Sequence, residues 1–248
     1  MSELLYGRNA VYEAIRARRR SIQRLYLADG IKEGDSLRGI LDLAKQHKLA
    51  ISHVQRHELD KRTNGTNHQG VALECSSYRY VDLDTVLATA QSANEEPLIL
   101  LLDHLQDPQN IGTLMRTAEV VGVHGIIMPD RRAATITPAV VNASAGAVEH
   151  LNVVQVTNIV QTIEELKEHN IWIAGVEDDK RAQDFDRANL NGALGLVIGA
   201  EGPGLARLTR EHCDFLVRLP MRGNVASLNA ATAGSIILYH AWRVRRRD

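Results

Sequence analysis

The chain has 248 residues and a mass of 27.4 kDa, room for one or two domains. Its 44% hydrophobic and 24% charged residues are those of an ordinary globular protein with a sizeable core. Two cysteines, Cys75 and Cys213, argue against a disulfide framework and a cysteine-rich zinc site. The polar start MSELLYGRNAV does not read as a signal peptide, and no apolar run reaches the roughly 18 residues of a membrane span. A cytoplasmic protein without a membrane segment is therefore expected.

The net charge of -1 hides an uneven distribution. Residues 1–70 carry a net of +5, residues 71–96 a net of -4 and residues 97–248 a net of -2. The first part could meet phosphates although the total is near zero.

In chain order, Val11, Ala14 and Ile15 predict a helix over 8–19, with Arg18, Arg19 and Arg20 near its end. A strand at 25–28 closes at Asp29-Gly30, and Leu37, Ile40, Leu41 and Ala44 mark a helix over 36–46. A strand at 50–54, a short polar helix at 55–62 and a strand led by Gly70 complete an α/β unit of about 75 residues. Residues 76–96 read as an acidic linker with a helix near 81–90, ended by Glu95-Glu96-Pro97.

From residue 97 a larger alternation begins. Leu98–Leu102 is continuously apolar, as in a strand buried on both faces. Strands are expected at 125–128, 150–154, 171–176, 194–198 and 215–219. Helices are expected at 111–121 (capped by Asp107 or Asn110), 138–146, 159–169, 205–212 and 227–242, the last with Ser227 as N-cap. The pattern is that of a mostly parallel sheet covered on both faces, whose ligands sit at the carboxyl ends of the strands.

Three segments carry candidate chemistry. In NIGTLMRTA, Asn110 stands at a helix start and Arg116 early in that helix, where a cation does not complement the dipole but its donor fork can hold a phosphate. In LVIGAEGPGL, Gly199, Gly202 and Gly204 crowd a strand-to-helix turn around Glu201, which would repel a pyrophosphate and suits a cation, an arginine or a ribose hydroxyl. In LPMRGNVASLNAATAGSIILY, Ser227 and Asn229 precede a face of small residues, Ala230, Ala231, Ala233 and Gly234, that permits close approach of a backbone or flat ligand. The histidines show no zinc spacing, and aromatic residues, at 4%, are too few for a base-stacking platform.

Together these segments resemble the three motifs of the SpoU/TrmH family of RNA 2'-O-methyltransferases, in the SPOUT superfamily. YGRNAVYEAI, RLYLADG and HQGVAL resemble the N-terminal substrate-binding domain of its branch acting on a guanosine in the peptidyl-transferase region of 23S rRNA. The resemblance implies an L30e-like RNA-binding α/β domain over 1–75, a linker over 76–96 and a trefoil-knotted methyltransferase domain over 97–248. It implies S-adenosylmethionine as cofactor, bound by the 197–202 and 217–222 loops and the 225–229 turn, with Gly199, Glu201, Gly202, Leu219, Met221, Ser227 and Leu228 in contact. It places Arg116, Asn110, Glu201, Ser227 and Asn229 in the catalytic set, in a homodimer with the active site at the subunit interface. Arg18, Arg19, Arg20 and Arg24 are the candidate RNA contacts. A tRNA guanosine-2'-O-methyltransferase is the alternative of the same chemistry. A nucleotide-binding oxidoreductase is the alternative of another class, disfavoured because no G-x-G-x-x-G follows the strand at 98–102.

Overall fold

The structure is a computed structural model and describes residues 2–32, 34–130, 135–224 and 227–246. Val225 and Ala226, within the expected cofactor turn, lie outside the described residues. The first elements are β1 (Ser2–Tyr6), α1 (Arg8–Ala17), β2 (Ile22–Ala28), α2 (Asp35–Gln46), β3 (Ile51–Val54), α3 (Arg56–Arg62) and β4 (Val71–Ser76). They are followed by α4 (Leu83–Ala93), β5 (Leu98–Leu102), α5 (Pro108–Val120), β6 (Gly125–Pro129), α6 (Pro138–Ala143), β7 (Val153–Val156), α7 (Ile159–Glu168) and β8 (Trp172–Val176). The last are β9 (Gln183–Asp184), β10 (Leu194–Ile198), α8 (Arg207–His212), β11 (Phe215–Arg218) and α9 (Ala230–Arg245).

The chain divides into two compact units that do not follow its linear order. The first joins residues 1–79 to 136–150; the second joins 80–135 to 151–248. In the first, four strands run in the order β1-β4-β2-β3, with β4 antiparallel to both β1 and β2. Leu5, Ile15, Leu25, Ile40, Leu59 and Leu73 are fully buried there. β1 is absent from the sequence expectation because five residues with a single buried position, Leu5, carry little pattern.

Residues 136–150 belong to this first unit through specific bonds. Asn142 Nδ2 donates to the Tyr6 carbonyl at 3.1 Å, and His150 Nε2 meets Glu13 Oε2 at 2.7 Å. A Cβ on Gly146 would fall 2.6 Å from that of Glu13, so α1 and the segment touch where only glycine fits. His150, expected to open a strand, instead ends a 3-10 turn at Ala147–His150, and β7 starts at Val153.

In the second unit a wholly parallel sheet runs β7-β6-β5-β10-β8-β11-β9 among the described residues. The two continuous apolar runs are neighbours at its centre, with Leu98 opposite Leu194 and Leu102 opposite Ile198, all ten residues buried. That register brings the loops after residues 102 and 198 side by side at one sheet edge. From residue 80 on, the stretch expected as a linker packs in this unit: Asp82 caps α4, its Oδ1 accepting from Thr85 N at 2.9 Å, and Val86 lies against Gly125 with no room for a Cβ.

α9 crosses β10 and α5 closely. A Cβ on Gly234 would stand 2.7 Å from Leu114 Cδ2 and 3.0 Å from Ile198 Cδ1. The small face of α9 thus serves packing within the chain at Ala231 and Gly234, both buried.

Candidate cofactor and catalytic site

At the carboxyl ends of β10, β8 and β11 the loops enclose a cleft of about 420 Å³. The 198–204 turn, Arg218, Leu219, Met221, 227–230 and Ala233 line it, as do Val176 at the end of β8 and Glu177 and Asp178 after it. The expected cofactor residues Gly199, Glu201, Gly202, Leu219, Met221, Ser227 and Leu228 all lie on its walls.

The glycine turn is built for close approach. A Cβ on Gly199 would sit 2.3 Å from the Gly204 carbonyl carbon, and Ala200 and Gly204 exchange backbone hydrogen bonds of 3.0 Å. Gly202 and Gly204 have φ of 87° and 70°, which glycine adopts without strain. The turn is anchored from below by Asp103, fully buried after β5, whose Oδ2 accepts from Ala206 N at 2.8 Å.

At the mouth of the cleft, one residue from each motif joins a single network. Asn110 Nδ2 donates to Glu201 Oε2 at 3.0 Å, and Asn229 Nδ2 donates to Asn110 Oδ1 at 2.8 Å and to Glu201 Oε1 at 3.5 Å. The polarity is forced. Asn229 Oδ1 accepts from Ala231 N and Thr232 N, which turns its amide nitrogen toward Asn110; Asn110 must in turn give its own nitrogen to the carboxylate. Asp107 caps α5, its carboxylate accepting from Gln109 N at 3.1 Å and Asn110 N at 3.3 Å.

Two expectations change here. The N-cap of α9 is Asn229, and Ser227 is an exposed cleft residue outside the helix. Asn229 therefore has a local reason for its place, in addition to its bond to Asn110. Arg116 is not gathered with the other four residues: at about 100° per residue, six residues turn it about 240° from buried Asn110. It is exposed and has no hydrogen bond or ion pair among the described residues.

Glu177 and Asp178 also line the cleft and were not anticipated, and Arg218 lines it within the expected 217–222 loop. The signal for Glu177 and Asp178 was available, since they directly follow β8 in an open parallel sheet. Arg218 is paired with Asp184 at 3.0 Å, so carboxylates dominate the uncommitted charge. Such a lining suits a ligand bearing positive charge and opposes a pyrophosphate. No group of three or more metal-binding side chains occurs among the described residues, and none of their helices is long and apolar enough to cross a membrane.

In the first unit the four arginines separate. Arg18 and Arg24 are exposed, Arg24 donating to Ser52 Oγ at 2.9 Å. Arg19 is half-buried, donating to the Glu149 carbonyl at 3.1 Å and lying over the Tyr78 ring. Arg20, expected at the RNA surface, is 4% exposed. Its Nε donates to Glu149 Oε1 at 2.9 Å and its Nη1 to Glu3 Oε2 at 2.7 Å and the Ser76 carbonyl at 3.1 Å. Burial works against its charge, but the bond and attraction to Glu149 prevail and hold its pKa above the ordinary value.

Comparison with known proteins gives this geometry its class. Residues 97–239 match the SpoU rRNA Methylase family, and residues 4–81 match RNA 2'-O ribose methyltransferase substrate binding. A Bacillus subtilis protein assigned by name to the TrmH family of tRNA/rRNA methyltransferases is 42% identical, covering 98% of this chain and 96% of its own. The SpoU methyltransferase AviRb of Streptomyces viridochromogenes, crystallised with AdoMet, shares the fold at a TM-score of 0.80 and 24% identity, covering 100% of this chain and 92% of its own. An AdoMet-bound rRNA methyltransferase of Sinorhizobium meliloti does so at 0.77 and 22%, covering 98% and 87%. The architecture is thus the SPOUT methyltransferase fold preceded by a substrate-binding domain. The chain belongs to the SpoU/TrmH family of RNA 2'-O-methyltransferases, enzymes that use S-adenosylmethionine.

Proposed function

We propose that this chain methylates the ribose 2'-hydroxyl of one guanosine in 23S rRNA, acting as a cytoplasmic homodimer. The observation that carries the reading is the network of Asn110, Glu201 and Asn229, one residue from each motif, at the mouth of the cleft. The matched substrate-binding unit and its exposed Arg18 and Arg24 favour a large structured RNA.

When bound, S-adenosylmethionine supplies a methyl made electrophilic by its sulfonium. The cleft residues fit that group: the glycine turn brings backbone to the ligand, Met221 and Leu228 offer exposed apolar surface, and the carboxylates meet its positive charge. Glu201 and Asn229 would hold the ribose with its 2'-hydroxyl toward the position of the cofactor's methyl, and the Glu201 carboxylate would take the hydroxyl proton as that oxygen is methylated. Asn110 keeps the Glu201 carboxylate oriented for the hydroxyl. Ser227 faces the same cleft.

Arg116 serves the reaction across the subunit interface. It lies on the exposed side of α5 with Thr113 and Val120, and the next residue, Thr117, is bonded to Ser235 of α9 at 2.9 Å. Val120, Ile236 and Tyr239 are exposed apolar residues on these two helices, and they form the dimer contact. From there Arg116 reaches the partner's cleft, clamping the RNA phosphate beside the 2'-hydroxyl. The trefoil knot belongs to the same reading.

The test is methyl transfer from labelled S-adenosylmethionine to unmodified 23S rRNA and, in parallel, to bulk tRNA, with the position mapped. Label on one 23S guanosine ribose is expected. Label in tRNA alone would keep the chemistry and overturn the substrate.

A further inference from the structure

We infer that Glu177 is the acceptor by which this chain recognises the hydrogen-bond donors of its cofactor, the ribose diol or the α-ammonium group. The inference rests on S-adenosylmethionine occupying the cleft described above.

Glu177 follows β8 directly, and its amide donates to the Val217 carbonyl at 3.0 Å, so its backbone is fixed at the sheet edge. The residue lines the cleft, yet its side chain is only 16% exposed. Oε1 lies 3.3 Å from Nη1 of Arg210. Oε2 is buried and has no hydrogen-bond partner among the described residues. A buried carboxylate oxygen without a donor is costly in a folded protein and calls for an explanation.

The surroundings narrow the explanation. Asp178, the next residue, is exposed and can be hydrated. Arg210 is a single partner at one oxygen, and burial raises the Glu177 pKa although Arg210 pulls it down. The cofactor turn passes directly over the carboxylate, since a Cβ on Gly204 would stand 3.4 Å from Glu177 Oε1. A molecule lying against that turn is therefore beside the carboxylate, whose Oε1 faces the turn and whose Oε2 lies behind it without a donor among the described residues. The donors such a molecule offers are the two ribose hydroxyls and the ammonium group. The remaining reading is a structural ion pair with Arg210, and it predicts a different result.

The experiment is calorimetric titration of the full chain with S-adenosylmethionine, S-adenosylhomocysteine and methylthioadenosine, for wild type, Glu177→Gln and Arg210→Gln. Methylthioadenosine keeps the ribose and lacks the ammonium. The inference expects Glu177→Gln to weaken binding by about 10- to 100-fold. Loss for all three ligands assigns the ribose; loss for the first two alone assigns the ammonium. Arg210→Gln, which leaves the carboxylate in place, weakens binding several-fold less. Unchanged affinities in Glu177→Gln, or equal losses in both variants with equal falls in unfolding midpoint, overturn the inference in favour of the ion pair. Failure of the wild type itself to bind S-adenosylmethionine would instead remove the cleft assignment, and Glu177's role with it.

Discussion

Two polar clusters of this molecule use similar side chains to opposite ends. Around Arg20, a guanidinium and the Glu149 carboxylate are sealed from water, and Nη1 is taken by Glu3 at 2.7 Å and the Ser76 carbonyl at 3.1 Å, while Nη2 faces Glu149 Oε1 at 2.9 Å as an ion pair. Around Glu201, a carboxylate and two amides are bonded to each other but stand at an open cleft, with Glu201 and Asn229 exposed. The first cluster closes on itself and can only hold structure. The second is pre-oriented and keeps unused acceptors for a ligand, as a group that must respond to a reacting ribose requires.

The largest effect should come from breaking the closed cluster. Glu149→Ala leaves Arg20 buried without its main partner and is expected to cost about 3–5 kcal/mol, read by urea unfolding. Replacing the pair together, Arg20→Met with Glu149→Leu, should recover most of that loss. If the single and double variants are equally unstable, packing rather than charge dominates the cluster.

The open cluster should show the reverse balance. Asn110→Ala is expected to lower kcat by about 10²–10³-fold, a barrier of about 3–4 kcal/mol, while stability falls by only about 1 kcal/mol. Arg116→Ala should fall at least as far and leave cofactor affinity, measured by calorimetry, unchanged. Mixed with Asn229→Ala, it should regain about a quarter of wild-type activity, because half of the dimers then hold one complete site. No recovery on mixing would place Arg116 in its own subunit's site.

Asn229 belongs to both structure and site, and one substitution separates the roles. Asn229→Ala removes the cap of α9 at a cost of about 1 kcal/mol. Asn229→Asp keeps the capping oxygen but loses the donor to Asn110. It should retain the stability and lose the rate.

A smaller effect lies at His124, which burial holds below its ordinary pKa. Its Nδ1 accepts from Leu98 N at 3.0 Å and must stay unprotonated to do so. The unfolded chain therefore takes up the proton first. Stability from this site is complete above about pH 6.5 and declines as pH falls through the lowered folded pKa. His124→Gln should flatten that part of the stability profile. Smallest in stability, within about 0.5 kcal/mol, is Arg18→Ser with Arg24→Ser. Its signature is RNA affinity, with the salt slope reduced by about 1–2.

These contrasts also show which parts of the molecule were legible in the sequence. β5 and β10 stand at their expected residues because a strand buried on both faces needs an unbroken apolar run, a local signal. The three motifs likewise marked Asn110, Glu201 and Asn229. Arg18, Arg19 and Arg20 are indistinguishable as letters. Which one is buried depends on Glu149, 129 residues away from Arg20. Ser227 and Asn229 are equally good caps in isolation, and the helix starts at the one whose other end can reach Asn110. Arg116 has a helical position readable from the sequence, but the face it occupies is decided by how α5 packs.

The discontinuity of the first unit bears on how the protein is made. Arg20 is synthesised long before its carboxylate partner, and residues 1–79 leave the ribosome without the segment that completes their core. At about 5–20 residues per second, the 70 residues from 79 to 149 take roughly 4–14 s to add. Throughout that interval the nascent chain can offer Arg20 only Glu3, and not the buried Glu149 carboxylate that completes its surroundings. The full set of contacts in the first unit therefore cannot form until translation has passed residue 150.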